Sequence, residues 1–169
     1  MLGFFRHSYP AQQIAIILLA VALWIPGFVT ADDFVLQHYP ASPLYNFIVG
    51  LFESSPYALA AAGFATFMFC TFFFNSMLSV NQLVTRNSTI GALVFVLMMC
   101  CMPCQHSLYP FLIASPMIMA AVNTVFLIYQ NDRPEFYLLN ISVFLSLASM
   151  TYFPSILLFP WLIIALFVL

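Results

Sequence analysis

Asn75-Ser-Met-Leu-Ser-Val-Asn-Gln-Leu-Val-Thr-Arg86-Asn87-Ser88 is a polar-bearing run in an otherwise apolar chain, and its periodicity decides the fold class. Continued back one turn, the residues Thr71, Asn75, Ser79, Gln82 and Arg86 recur every three or four positions. At about 3.6 residues per turn, that spacing draws one stripe along a helix. The remaining surface carries Phe72, Phe73, Met77, Leu78, Val80, Leu83 and Val84. A helix so apolar elsewhere belongs in lipid, and its amides and hydroxyls then face neighbouring helices or a wet cavity, where they find partners. The stripe reads as a polar intramembrane seam: either glue between helices, or one wall of a groove for a substrate or lipid headgroup.

Composition points the same way. With 64% hydrophobic residues, 5% charged residues and a mean hydropathy of +1.07, the chain lacks the polar surface that a water-facing domain of 169 residues needs. The expected fold is all-α: a polytopic transmembrane helical bundle whose principal partner is the lipid bilayer. Three basic residues against twenty phenylalanines leave no basic patch for nucleic acid.

Hydropathy divides the chain into about six spans, near 11–29, 57–84, 90–102, 111–129, 136–150 and 154–169. Arg6 and His7 precede the first, but the apolar run continues through Trp24 and Pro26 without a small-residue cleavage site, so it is read as an uncleaved span rather than a signal peptide. The interruption from Thr30 to Pro56 contains Asp32, Asp33, His38 and Glu53. Within it, 44–52 is too short to cross a core of about 30 Å and reads as an interfacial or re-entrant helix. Several spans are short or contain proline, as at Pro116. Asn87 or Ser88 is the expected cap of the third span.

Arg6, Arg86 and Arg133 all fall on one side of a six-crossing topology, and the positive-inside rule makes that side cytoplasmic. The N-terminus is then cytoplasmic in a bacterial inner membrane, and Asp32, Asp33, His38, Glu53, Cys104 and His106 lie outside. The last residues, 162–169, are apolar without a polar stop, so further spans are expected beyond them. Trp24 and Tyr57 are placed at interfaces, and Phe72-Phe73-Phe74 toward lipid.

The segments Asn81-x-Leu-Val-x-Arg86-Asn87-Ser88 and Leu145-Ser-Leu-Ala-Ser-Met-Thr-Tyr152-Phe153-Pro154-Ser155 resemble an uncharacterised family of bacterial multi-pass membrane proteins. Members of that family are about twice as long, so the resemblance implies that this chain corresponds to their N-terminal half. A fainter resemblance is to membrane glycosyltransferases that use polyprenyl-phosphate sugars. It rests on Asp32-Asp33 after the first span, an interfacial helix, and later short spans. It implies Asp32 or Asp33 as the catalytic carboxylate, acting as general base or holding a divalent metal against the leaving phosphate. The chain has no lysine and no outer arginine to neutralise a lipid phosphate, a departure from that pattern.

Cys101-Met-Pro-Cys104, with Cys100 and His106 nearby, has the spacing of a redox or soft-metal motif. It lacks the strand-to-helix turn or second paired motif that accompanies such sites, and apolar filling or an incidental outer disulfide is the simpler reading. No cofactor is expected. The sequons at Asn87 and Asn140 fall on the cytoplasmic side and within a span, away from an outer-face glycosyltransferase. Three functions remain: a membrane subunit packing against partner helices, which is favoured, a lipid-linked sugar transferase scaffold, and a transporter component.

Overall fold

The computed structural model describes residues 10–29, 42–52, 55–84, 88–101, 108–129 and 134–168. These form seven α-helices: α1 (Pro10–Val29), α2 (Pro43–Gly50), α3 (Pro56–Val80), α4 (Ile90–Cys100), α5 (Pro110–Tyr129), α6 (Pro134–Thr151) and α7 (Leu158–Val168). A 3-10 turn, Phe153–Leu157, leads into α7. Among the described residues there is no strand.

Five helices begin at a proline, the residue whose missing N–H costs nothing in a first turn. At α3 the Ser55 hydroxyl also accepts the Ala58 N–H at 3.4 Å, completing a Ser-Pro start.

Two helices are long and apolar enough to cross a bilayer, α3 over Pro56–Val80 and α5 over Pro110–Ile128. The 25 residues of α3 reach about 38 Å. By contrast, α4 has 11 residues, about 16 Å, roughly half a hydrocarbon core rather than the 90–102 span expected. The expected span 154–169 likewise opens with the 3-10 turn, because Pro154 and its neighbours delay the α-helix until Leu158.

The helices form two compact units. One contains α1, α3 and α4. Gln12, Ile16, Ala20 and Trp24 are buried at four-residue intervals along α1, while Ile14, Leu18, Val21 and Ile25 point outward. Trp24 stacks on Phe67 of α3 at 5.4 Å, Phe67 on Phe95 of α4 at 6.2 Å, and Phe95 lies 5.4 Å from Phe74. Trp24, expected at an interface, is thus buried in an aromatic core. Phe74 likewise packs inward instead of facing lipid, whereas Phe69 and Phe72 remain exposed.

The second unit contains α2, α5, α6, the 3-10 turn and α7. Its core joins Ala121 of α5, Ile141 and Leu145 of α6, and Leu162 of α7. The short α2 packs on α6, burying Tyr45 and Val49 while leaving Phe47 and Leu51 exposed. In α5, Pro116 cannot donate to the Leu112 carbonyl one turn earlier; the Ser115 hydroxyl does so instead, at 2.8 Å.

Candidate functional site: a polar node at the start of the fourth helix

Of the expected seam, Thr71, Asn75 and Ser79 lie on α3, but the helix closes before the stripe is complete. Gln82 has φ 56°, the left-handed conformation that ends a helix. Around it the Leu83 N–H bonds to the Leu78 carbonyl at 3.0 Å, and the Gln82 N–H to the Ser79 carbonyl at 3.3 Å. This is the double bond pattern of a Schellman cap, built here on glutamine instead of glycine. Gln82 is exposed, off the stripe, and Arg86 lies outside the described residues.

Thr71 is fully buried, and its hydroxyl donates to the Phe67 carbonyl of its own helix at 2.9 Å. Ser79 is half-buried. Asn75 alone of the three reaches another helix by a bond that fixes its position: its Oδ1 accepts the Ala92 N–H of α4 at 3.2 Å. That amide belongs to the first turn of α4, where no carbonyl of the same helix precedes it.

The N-cap residue of α4 is Thr89, whose own side chain does not cap it. Its hydroxyl instead donates to Gln12 Oε1 on α1, at 3.2 Å. The Ser88 hydroxyl accepts the Ile90 N–H at 3.3 Å from the position before the cap, so the cap expected at Ser88 falls one residue later, on Thr89; Asn87 lies outside the described residues. Gln12, Ser88 and Thr89 are 1%, 3% and 4% exposed. Three helices therefore converge on one buried helix start, with Asn75 supplying from α3 the acceptor that a cap residue normally supplies from within.

Gly91 makes the approach close enough. A Cβ there would sit 2.6 Å from Leu78 Cδ1 and 3.1 Å from Asn75 Oδ1. A side chain at this position requires Leu78 Cδ1 to move and presses on the Asn75 amide.

Among the described residues, the node's amides and hydroxyls satisfy backbone N–H groups and one another. Elsewhere Thr66, Thr124, Ser142, Ser146, Ser149 and Thr151 likewise return their hydroxyls to carbonyls of their own helices. Cys70 is buried in α3, and Cys101, at the end of α4, is an exposed thiol. Asp32, Asp33, His38, Glu53, Cys104 and His106 lie outside the described residues. Among the described residues, no three metal-ligating side chains stand together.

Sequence reasoning missed Gln12, Thr89 and Gly91. For Gln12 a signal was present, since it continues the four-residue spacing of Ile16, Ala20 and Trp24 onto the buried face. Comparison with protein-family models, with curated proteins and with solved structures finds no match to this chain.

Proposed function

We propose that the protein is a multi-pass bacterial inner-membrane protein that acts as a structural membrane subunit, its outward helix faces packing against lipid and partner helices. The observation that carries this reading is the combination of apolar outer faces with an inward, satisfied polar node. Leu18, Phe69, Met98, Leu139 and Ile164 are all at least 58% exposed, on five different helices. Burial of such faces in water-excluding surroundings is worth roughly 25 cal/mol per Å² of apolar area. Glu135, in the first turn of α6, is the sole charged residue among those described, as expected of helices that sit in hydrocarbon.

In this reading the chain crosses about six times. The short α4 and α7 cross where the bilayer is locally thin or where neighbouring helices complete the passage. The N-terminus and the turns bearing Arg86 and Arg133 are cytoplasmic.

Two experiments test it. Alkaline carbonate should leave the protein in the membrane pellet, and release into the supernatant would end the membrane reading. A photo-cross-linking residue in place of Leu18 or Leu139 should give adducts with a discrete membrane protein. Adducts with lipid alone would leave an integral membrane protein but remove the partner helices.

A further inference from the structure

The end of α3 turns on a single residue. Asn81 has φ -82° and ψ 10°, and its N–H still bonds to the Met77 carbonyl at 3.1 Å, four residues back as in an uninterrupted α-helix. Only at Gln82 does the chain leave the helix, with φ 56°. That conformation presses a β-carbon toward the following carbonyl, and the residues that adopt it routinely are glycine and, less often, asparagine and aspartate. Glutamine is none of these. From 64 to 90 the chain also has neither glycine nor proline, so no residue there forbids the right-handed helix from running on.

Running on would strand no polar group. At present the Gln82 N–H bonds to the Ser79 carbonyl and the Leu83 N–H to the Leu78 carbonyl. In a continued helix the same two donors exchange the same two acceptors, Gln82 taking Leu78 and Leu83 taking Ser79. What moves is the Gln82 side chain, which is exposed in the cap. Seven residues beyond Asn75, a helical Gln82 would stand within about 20° of it around the axis, on the stripe shared with Thr71. Val84 would then lie about 6 Å beyond Val80 along that axis, and the chain would enter α4 from a different direction. Two bonds at the α4 start register the change: Asn75 Oδ1 with the Ala92 N–H, and the Thr89 hydroxyl with Gln12 Oε1.

We propose that residues 81–84 are a conformational switch between α3 and α4. In one state Gln82 is left-handed and Asn75 and Gln12 seat α4; in the other α3 is one turn longer, Gln82 joins the polar stripe, and the bond from the Ala92 N–H to Asn75 is given up. Since the α3 end keeps its hydrogen bonds in both, left-handed strain at one residue is set against the cross-helix bonds of the α4 start. Both terms are small, which places the minor state at about 0.1–10% of the molecules. The switch is independent of what packs on the outer helix faces.

Two amides report on it, and each can be observed alone. Asn81-Gln82 is the only Asn-Gln pair in the chain, and Gly91-Ala92 the only Gly-Ala pair. Asparagine labelled at its carbonyl carbon with glutamine labelled at its α-nitrogen isolates the Gln82 N–H in a nuclear magnetic resonance spectrum; glycine and alanine labelled likewise isolate the Ala92 N–H. In the full chain in lipid nanodiscs, relaxation dispersion should show both amides exchanging with one rate constant. Gln82→Gly, which accepts the left-handed form, should lower the minor population read at Ala92 about tenfold. Gln82→Val, whose branched β-carbon opposes that form, should raise it at least about tenfold and move the Ala92 amide toward its minor-state position. Flat dispersion at both amides of the native chain, or an Ala92 amide that responds alike to glycine and valine, overturns the switch. Exchange at Gln82 with a silent Ala92 also overturns it, because the helix end would then fray without reaching α4. Should the valine variant fail to fold, the native chain and the glycine variant decide the matter: an unchanged minor population in glycine refutes it.

Discussion

Replacing Asn75 with alanine removes the acceptor for the Ala92 N–H and leaves a first-turn amide of α4 without its partner. An unsatisfied buried donor costs about 1–3 kcal/mol in water-soluble proteins, and interhelical hydrogen bonds within membranes average about 0.6 kcal/mol with a maximum near 1.7. The half-buried position of Asn75 places the expected loss at about 1–2 kcal/mol. Gly91→Ala attacks the same contact from the other side, since its Cβ would lie 2.6 Å from Leu78 Cδ1 and 3.1 Å from Asn75 Oδ1. In the double variant the shortened side chain at 75 has already vacated part of that space, so the two losses should fall short of their sum by about 0.5 kcal/mol or more. Unfolding in mixed micelles can be followed through Trp24, stacked on Phe67 in the same unit, once Trp161→Phe has removed the other tryptophan. A loss from Asn75→Ala within about 0.5 kcal/mol of zero, as for an ordinary surface change, would show that this bond does not anchor α4.

Ser115→Ala should cost about 1 kcal/mol by withdrawing the hydroxyl from the Leu112 carbonyl, and should become neutral in a Pro116→Ala background, where the restored amide supplies the donor. Equal costs in both backgrounds, by the same unfolding measurement, would rule out that compensation. Gln82→Gly should stabilise the α3 terminus by about 1 kcal/mol, because glycine occupies the left-handed conformation at φ 56° without the Cβ penalty; unchanged or lowered stability would contradict it. For the sugar-transferase alternative, Asp32→Asn and Asp33→Asn should abolish the transfer of sugar from a polyprenyl phosphate in membranes containing the full-length protein. Under the subunit reading they leave membrane insertion and partner cross-linking unchanged, and a loss of transfer alone would favour the transferase.

The helical class was legible because the polar residues from Thr71 to Ser79 recur at helical spacing within an apolar background, and because Pro56, Pro110 and Pro134 stand where helices begin. The end of α3 was less legible. Helix termination at Gln82 depends on a left-handed residue that is not glycine, so the usual sequence signal was missing. Trp24 was misplaced because an indole suits both an interface and an aromatic core; only the stacking on Phe67 separates the two. The node was half legible: Asn75 and Ser88 stood out as polar residues near a helix start. The bond from Thr89 to Gln12 joins segments 77 residues apart, which no local pattern encodes.

Thiol labelling of intact cells tests the membrane topology most directly. In a background where serine replaces Cys70, Cys100, Cys101 and Cys104, single cysteines replace Arg6, Arg86, Asp33 and Arg133 in turn, with a membrane-impermeant maleimide added before and after permeabilisation. Cysteine at 33 should label in intact cells, and cysteine at 6, 86 and 133 only after permeabilisation. Labelling of all four positions in intact cells, or of any arginine position together with 33, would contradict the six-crossing arrangement.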